Sequence, residues 1–146
     1  MIIKSSYADC GSCRLLNESS CILETNIKND EQCDIIFIAE NPGKNEVNNI
    51  PPTPLIGKSG EIFRDPFNSH IKNNFKWVIT NSVLCLTLKP DGTTGNATIE
   101  DADKCKPNLQ KLIEICKPKL VVGLGTVAMY TMGLGKDKIL SKKRKC

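Results

Sequence analysis

Asp34-Ile35-Ile36-Phe37-Ile38-Ala39-Glu40-Asn41-Pro42-Gly43 is an apolar run that stops on four polar or turn-forming residues. Short runs of this kind, rich in β-branched residues, suit a strand covered on both faces, as in a parallel sheet. In open α/β sheets ligands bind beyond the carboxyl ends of the strands. Glu40 and Asn41 followed by Pro42-Gly43 therefore form a rigid loop whose carboxylate and backbone can face a substrate. Taken alone, the same fragment also reads as an ordinary strand-ending turn.

Two further runs repeat the pattern: Lys76-Trp77-Val78-Ile79-Thr80 and Leu120-Val121-Val122-Gly123-Leu124. Helical patterns lie between them. Gly60 to Phe67 predicts one helix, with Pro66 setting its end or a kink. Thr98-Ile99-Glu100-Asp101 predicts a capping box, opening a helix whose apolar positions Ala102, Cys105, Leu109, Leu112, Ile113 and Cys116 recur at three or four. Pro107 falls inside that pattern and predicts a kink or restart. Thr126 is expected to cap a last helix, Val127 to Met132, ended by Gly133. Strand and helix alternate, so the expected architecture is a three-layer α/β/α domain with a central, mostly parallel sheet.

The chain has 146 residues, 40% hydrophobic and 25% charged, which suits one globular domain over 1–146. A net charge of +4 permits a phosphate-binding face without demanding one. Met1 to Lys4 is too short an apolar start for an export signal, and no run approaches a membrane span. The expectation is a cytoplasmic protein with no membrane association. Residues 135–146 form a basic tail, the usual composition of a solvated end.

Loops after the strands carry the candidate chemistry. Gly57-Lys58-Ser59 resembles part of a P-loop, but the glycine needed five residues earlier is replaced by Pro52. That excludes a nucleoside-triphosphate site, although Gly57 and Ser59 at a helix start could hold one phosphate by backbone amides. Asn81 ends the second strand, where a side chain that both donates and accepts suits the edge of a pyrimidine. There are eight cysteines. Cys10-Gly11-Ser12-Cys13 precedes the first clear strand, which argues against thioredoxin-like chemistry. With Cys85 and Cys105, four thiolates from three segments can enclose one zinc or one [4Fe–4S] cluster. Cys21, Cys33, Cys116 and Cys146 remain, and Cys116 reads as core.

In their order and spacing these pieces resemble the family-four uracil-DNA glycosylases over Cys10 to about Leu134. The matching motifs are Ala39-Glu40-Asn41-Pro42-Gly43, Pro54-Leu55-Ile56-Gly57-Lys58-Ser59-Gly60, Ile79-Thr80-Asn81 and Val121-Val122-Gly123-Leu124-Gly125. The resemblance implies a DNA repair enzyme that hydrolyses the N-glycosidic bond of a flipped uracil. It implies that Glu40 and Asn81 are catalytic, that Asn41, Pro42, Gly43, Leu55, Gly57 and Ser59 bind substrate, and that Cys10, Cys13, Cys85 and Cys105 ligate a [4Fe–4S] cluster. Its partner would be uracil-containing DNA, with single strands favoured.

Three departures stand out. Leu55 occupies the place of a stacking phenylalanine. The Cys85–Cys105 interval is a few residues long for the family. The final strand and a His-Pro-Ser-type loop are missing, and the only histidine, His70, lies elsewhere. The Leu120–Leu124 strand should then present an open edge, available to a protein partner or a second copy. The rival expectation is a catalytically impaired relative, serving as a DNA-binding or replication-associated subunit.

Overall fold

The computed structural model describes residues 10–28 and 31–133; the basic tail lies outside them. Three strands fall where the apolar runs place them: β2 (Ile35–Ala39), β3 (Trp77–Asn81) and β4 (Leu120–Gly123). A short strand that the sequence does not advertise, β1 (Leu23–Thr25), completes a four-stranded sheet of order β1-β3-β2-β4. β2 runs parallel to both β3 and β4, whereas β1 joins β3 antiparallel. β2 and β3 are buried throughout, but among the described residues β4 has only β2 beside it, and Leu120 is 53% exposed. The sheet is open, and β4 is one of its edges.

Helices cover both faces, giving three layers. On one face Ile36, Ile38 and Val78 meet Leu109, Leu112 and Cys116 of α3 (Ile99–Cys116) and Ala128 of α4 (Thr126–Thr131). On the other, Phe37, Ile79 and Trp77 meet α2 (Lys58–Pro66) and the π-helical turn Phe67–Ile71. There Phe67 sits edge-on to Trp77 at 4.7 Å and stacks on Phe63 at 5.2 Å. Such aromatic pairs add about 0.5–1.5 kcal/mol each beyond the area they bury. A five-residue helix, α1 (Lys44–Asn48), opens the connection between β2 and β3.

The capping box forms as expected. Asp101 N–H donates to the Thr98 hydroxyl at 3.1 Å, and Thr98 N–H donates to the Asp101 carboxylate at 2.9 Å. Two helix expectations need correction. Pro107 lies inside α3, which runs unbroken to Cys116. The carbonyl that Pro107 leaves unpaired belongs to Asp103, an exposed residue where solvent can satisfy it. Thr126 is helical itself; the N-cap is Gly125, at φ +94, a backbone state that favours glycine over threonine. Gly133, at φ +82, ends the last turn as expected.

Candidate functional site

The loop after β2 meets the loop before α2 at the carboxyl ends of the strands. Together they wall a cleft of about 410 Å³. The chain leaves β2, crosses to β3 on one side, then returns to β4 on the other. A reversal of this kind is where open α/β sheets place their ligands.

Glu40, Asn41 and Gly43 line the cleft from one side, and Gly57, Lys58 and Ser59 from the other. The Glu40 carboxylate accepts from Ala97 N–H at 3.0 Å, which ties the β2 end to the turn before α3. Asn41 donates from Nδ2 to the Gly95 carbonyl at 3.3 Å. The amide-bearing loop is thereby fastened to residues 95–97. Gly57 N-caps α2, a helix with Glu61 in its first turn.

Sequence reasoning missed Glu46. Its carboxylate accepts from Gly43 N–H, and Glu46 N–H donates back to the Gly43 carbonyl at 3.2 Å. Glu46 is buried and lines the cleft. A β-carbon added to Gly43 would stand 2.9 Å from its Oε2, and one added to Gly57 would stand 3.7 Å from its Oε1. The carboxylate thus stands beside both glycine loops. A Glu three residues after a helix-opening glycine was the available signal, since the capping box uses that spacing.

Other expected site residues lie behind the cleft wall. Pro42 is fully buried, and Leu55 is 6% exposed and packed with Ala39 and Phe67. Asn81 is 3% exposed, opposite Ala39 in the β2–β3 register. It lines a separate small cavity toward α3 with Ser82 and Cys105. Glu40 nevertheless directly follows β2 and Asn81 ends the adjacent β3, and Val83 N–H, just beyond β3, donates to the Glu40 carbonyl at 2.9 Å. The cleft therefore gathers Glu40, Asn41, Gly43, Gly57 and Ser59, and leaves Pro42, Leu55 and Asn81 in the layer beneath. His70 is exposed in the π-helical turn.

The four candidate thiols occupy one neighbourhood. Residues 19–21 pair with 84–86 through Leu86 N–H to Ser19 O at 2.8 Å and Cys21 N–H to Leu84 O at 2.9 Å. Cys13 packs on the cluster that contains Cys85. Burial pushes the Cys105 thiol up, and the nearby Cys10 and Cys13 add to it against the Leu84 N–H and the Asn108 amide. Among the described residues, no three His, Cys, Asp or Glu side chains gather closely enough to hold one ion. By contrast, burial pushes Cys21 up to about 12 and Cys33 to about 11, the behaviour of neutral core thiols. Cys116 packs with Cys33, as expected of a core residue.

Arg14 fastens the thiol arm. Its Nε and Nη2 reach the two oxygens of Asp101 at 2.8 and 2.6 Å, and Lys104 Nζ reaches Ser12 Oγ at 2.9 Å. Burial by itself would push the Asp101 carboxyl up. The Arg14 bonds and the Thr98 contacts outweigh it and hold the group below the ordinary carboxylate range. A carboxyl so depressed stabilises the fold above its unfolded-state pKa and loses that contribution as pH falls through the folded one. Urea unfolding should therefore show Asp101→Asn costing about 1 kcal/mol near neutrality. The cost should shrink toward about pH 3; an equal cost at both pH values would contradict this account.

The fold and the cleft define an open α/β domain with a polar site at its strand ends. A sequence model of the uracil DNA glycosylase superfamily matches residues 27–142, so the chain belongs to that superfamily. It is 27% identical over 99 residues to the Type-4 uracil-DNA glycosylase of Archaeoglobus fulgidus, covering 68% of this chain and 47% of that protein. It is 28% identical over 116 residues to the Type-4 uracil-DNA glycosylase of Pyrobaculum aerophilum, covering 77% of this chain and 56% of that protein. The chain spans about half the length of these curated relatives. No helix among the described residues is long and apolar enough to cross a membrane.

Proposed function

We propose that the protein hydrolyses the N-glycosidic bond of uracil in DNA. One observation carries this reading: Glu40 lines a cleft at the carboxyl end of β2, and the amide of Asn81 ends the adjoining strand. Breaking this bond puts negative charge on the departing base and positive charge on the sugar. Fixed dipoles and a carboxylate are the groups that stabilise such a separation. Glu40, oriented by Ala97 N–H, would position the attacking water and face the sugar's charge. Asn81 would read the polar edge of the base, and Asn41, Pro42, Gly43 and Leu55 would shape its pocket. Gly57 and Ser59 at the start of α2 would receive a phosphate.

Cys10, Cys13, Cys85 and Cys105 would hold a [4Fe–4S] cluster of structural duty. One zinc would draw its sulfurs to within about 4 Å of each other, given Zn–S bonds of about 2.3 Å. A [4Fe–4S] cluster takes the same donor set, four cysteine thiolates. Bound there, the cluster would supply a cross-link between the N-terminal arm and α3. It would leave the hydrolysis to the protein's own residues.

The test is release of free uracil from a labelled oligonucleotide. Single strands should react faster than duplex, because no base pair must be opened before the base leaves the stack. The same preparation should carry iron and absorb near about 400 nm, in the manner of iron–thiolate clusters. No uracil release from an iron-loaded preparation would end the enzymatic reading. The cleft lining favours one alternative, because among the described residues it offers no aromatic platform for a base. A domain of that kind would bind uracil-containing single strands and release nothing.

A further inference from the structure

We infer that Leu88 binds the nucleotide beside the uracil, packing against its base while the uracil enters the cleft. Within the long Cys85–Cys105 interval, residues 87–95 fold as a hairpin around a Leu88–Thr94 bridge. Lys89 N–H donates to Thr93 O at 2.8 Å and Gly95 N–H to Thr87 O at 2.7 Å, one on each side of that bridge. Leu88 and Thr94 are therefore a non-hydrogen-bonded antiparallel pair, whose side chains leave the same face of the hairpin close together.

Thr94 shows where that face looks. It lines the cleft, and its hydroxyl accepts from Lys44 N–H at 3.4 Å. A β-carbon added to Gly43 would stand 3.8 Å from its side chain. Leu88 thus emerges beside the cleft, 38% exposed, while Thr87 and Gly95 on the opposite face are buried. The hairpin is held at its base. The Gly95 carbonyl accepts from the Asn41 amide, and Ala97 N–H donates to Glu40.

A leucine cannot bind a phosphate; the face of a base is the apolar surface that a DNA strand offers it. The opposite wall, with Gly57, Lys58 and Ser59, is the one suited to the strand's phosphates. The contact rests on the reading above that the cleft takes uracil in DNA, and not on hydrolysis.

Binding of a fluorescent single-stranded oligonucleotide, followed by anisotropy, tests it. Its one uridine carries a 2′-fluorine, which resists cleavage by opposing positive charge on the sugar. Leu88→Ala should weaken binding roughly fivefold, the loss of part of the burial of a leucine side chain. Leu88→Met should bind as the parent does. Neither change should move the melting midpoint by more than about 2 °C, since the side chain lies outside the core. Two companion oligonucleotides lack the base on the 5′ or the 3′ side of the uridine. On one of them the parent and Leu88→Ala should bind equally, because the base that Leu88 touches is gone. A loss that persists in full on both, or no loss on the intact strand, would overturn the contact. A parent that shows this coupling yet releases no uracil from the unmodified oligonucleotide sinks the enzymatic reading alone. Release without the coupling sinks the contact alone.

Discussion

Gly60→Ala is expected to lower the unfolding midpoint by roughly 10 °C, the shift that a loss of about 3 kcal/mol produces in a domain of this size. The alanine β-carbon would stand 1.9 Å from the Leu55 carbonyl oxygen and 2.3 Å from its carbon, so backbone must move. It has little freedom to do so. Leu55 holds a left-handed backbone at φ 54, and Arg64 fixes its carbonyl with an Nε–H bond of 3.0 Å. Nη2 of the same guanidinium holds the Pro54 carbonyl and pairs with Glu24 of β1. Any shift therefore reaches β1. Gly92→Ala is the natural control: its φ is +81, but nothing lies within 4 Å of an added β-carbon. It should cost only about 1 kcal/mol of backbone strain. Equal melting of the two variants would show that the Leu55 turn yields freely.

Asn81→Ala should reduce uracil release by at least about a hundredfold, the size of effect seen when a polar group that stabilises a transition state is removed. Its melting should stay within a few degrees of the parent, since β3 keeps its ladder to β1 and β2. Glu40→Gln separates charge from position. The amide oxygen can still accept from Ala97 N–H, whereas the negative charge is gone. A loss of about a hundredfold with intact melting would assign Glu40 an electrostatic or basic role. Full activity in Glu40→Gln would reduce that side chain to a strut, and full activity in Asn81→Ala would detach β3 from the chemistry.

The sequence announced those parts of the fold that follow from burial and local chemistry. Ile35–Ala39 and Trp77–Asn81 are buried on both faces, and apolar, β-branched runs record this directly. Thr98 and Asp101 announce the start of α3 because a reciprocal cap is a four-residue event. Leu23-Glu24-Thr25 announces nothing: three half-buried residues become a strand only because β3 supplies the partner. Pro107 misled because helix propensity counts a lost hydrogen bond, whereas tertiary packing of Leu109, Leu112 and Cys116 holds the helix together across it. For the site, Glu40 and Asn41-Pro42-Gly43 were legible from their place after a strand, and Gly57-Lys58-Ser59 from its glycine at a helix start. The burial of Leu55 and Asn81 beneath the cleft was not, because backbone handedness and side-chain depth are settled by contacts far along the chain.

The central strand has a bearing on how the protein is made. β2 leaves the ribosome before the neighbours that satisfy its two edges, Trp77–Asn81 and Leu120–Gly123. During elongation its five apolar residues wait with unpaired amides, which is the state in which nascent segments recruit chaperones or stick to one another. A synthesis pause before Leu120 would prolong that exposure, and a charged substitution within β2 would shorten the danger only by forfeiting the core.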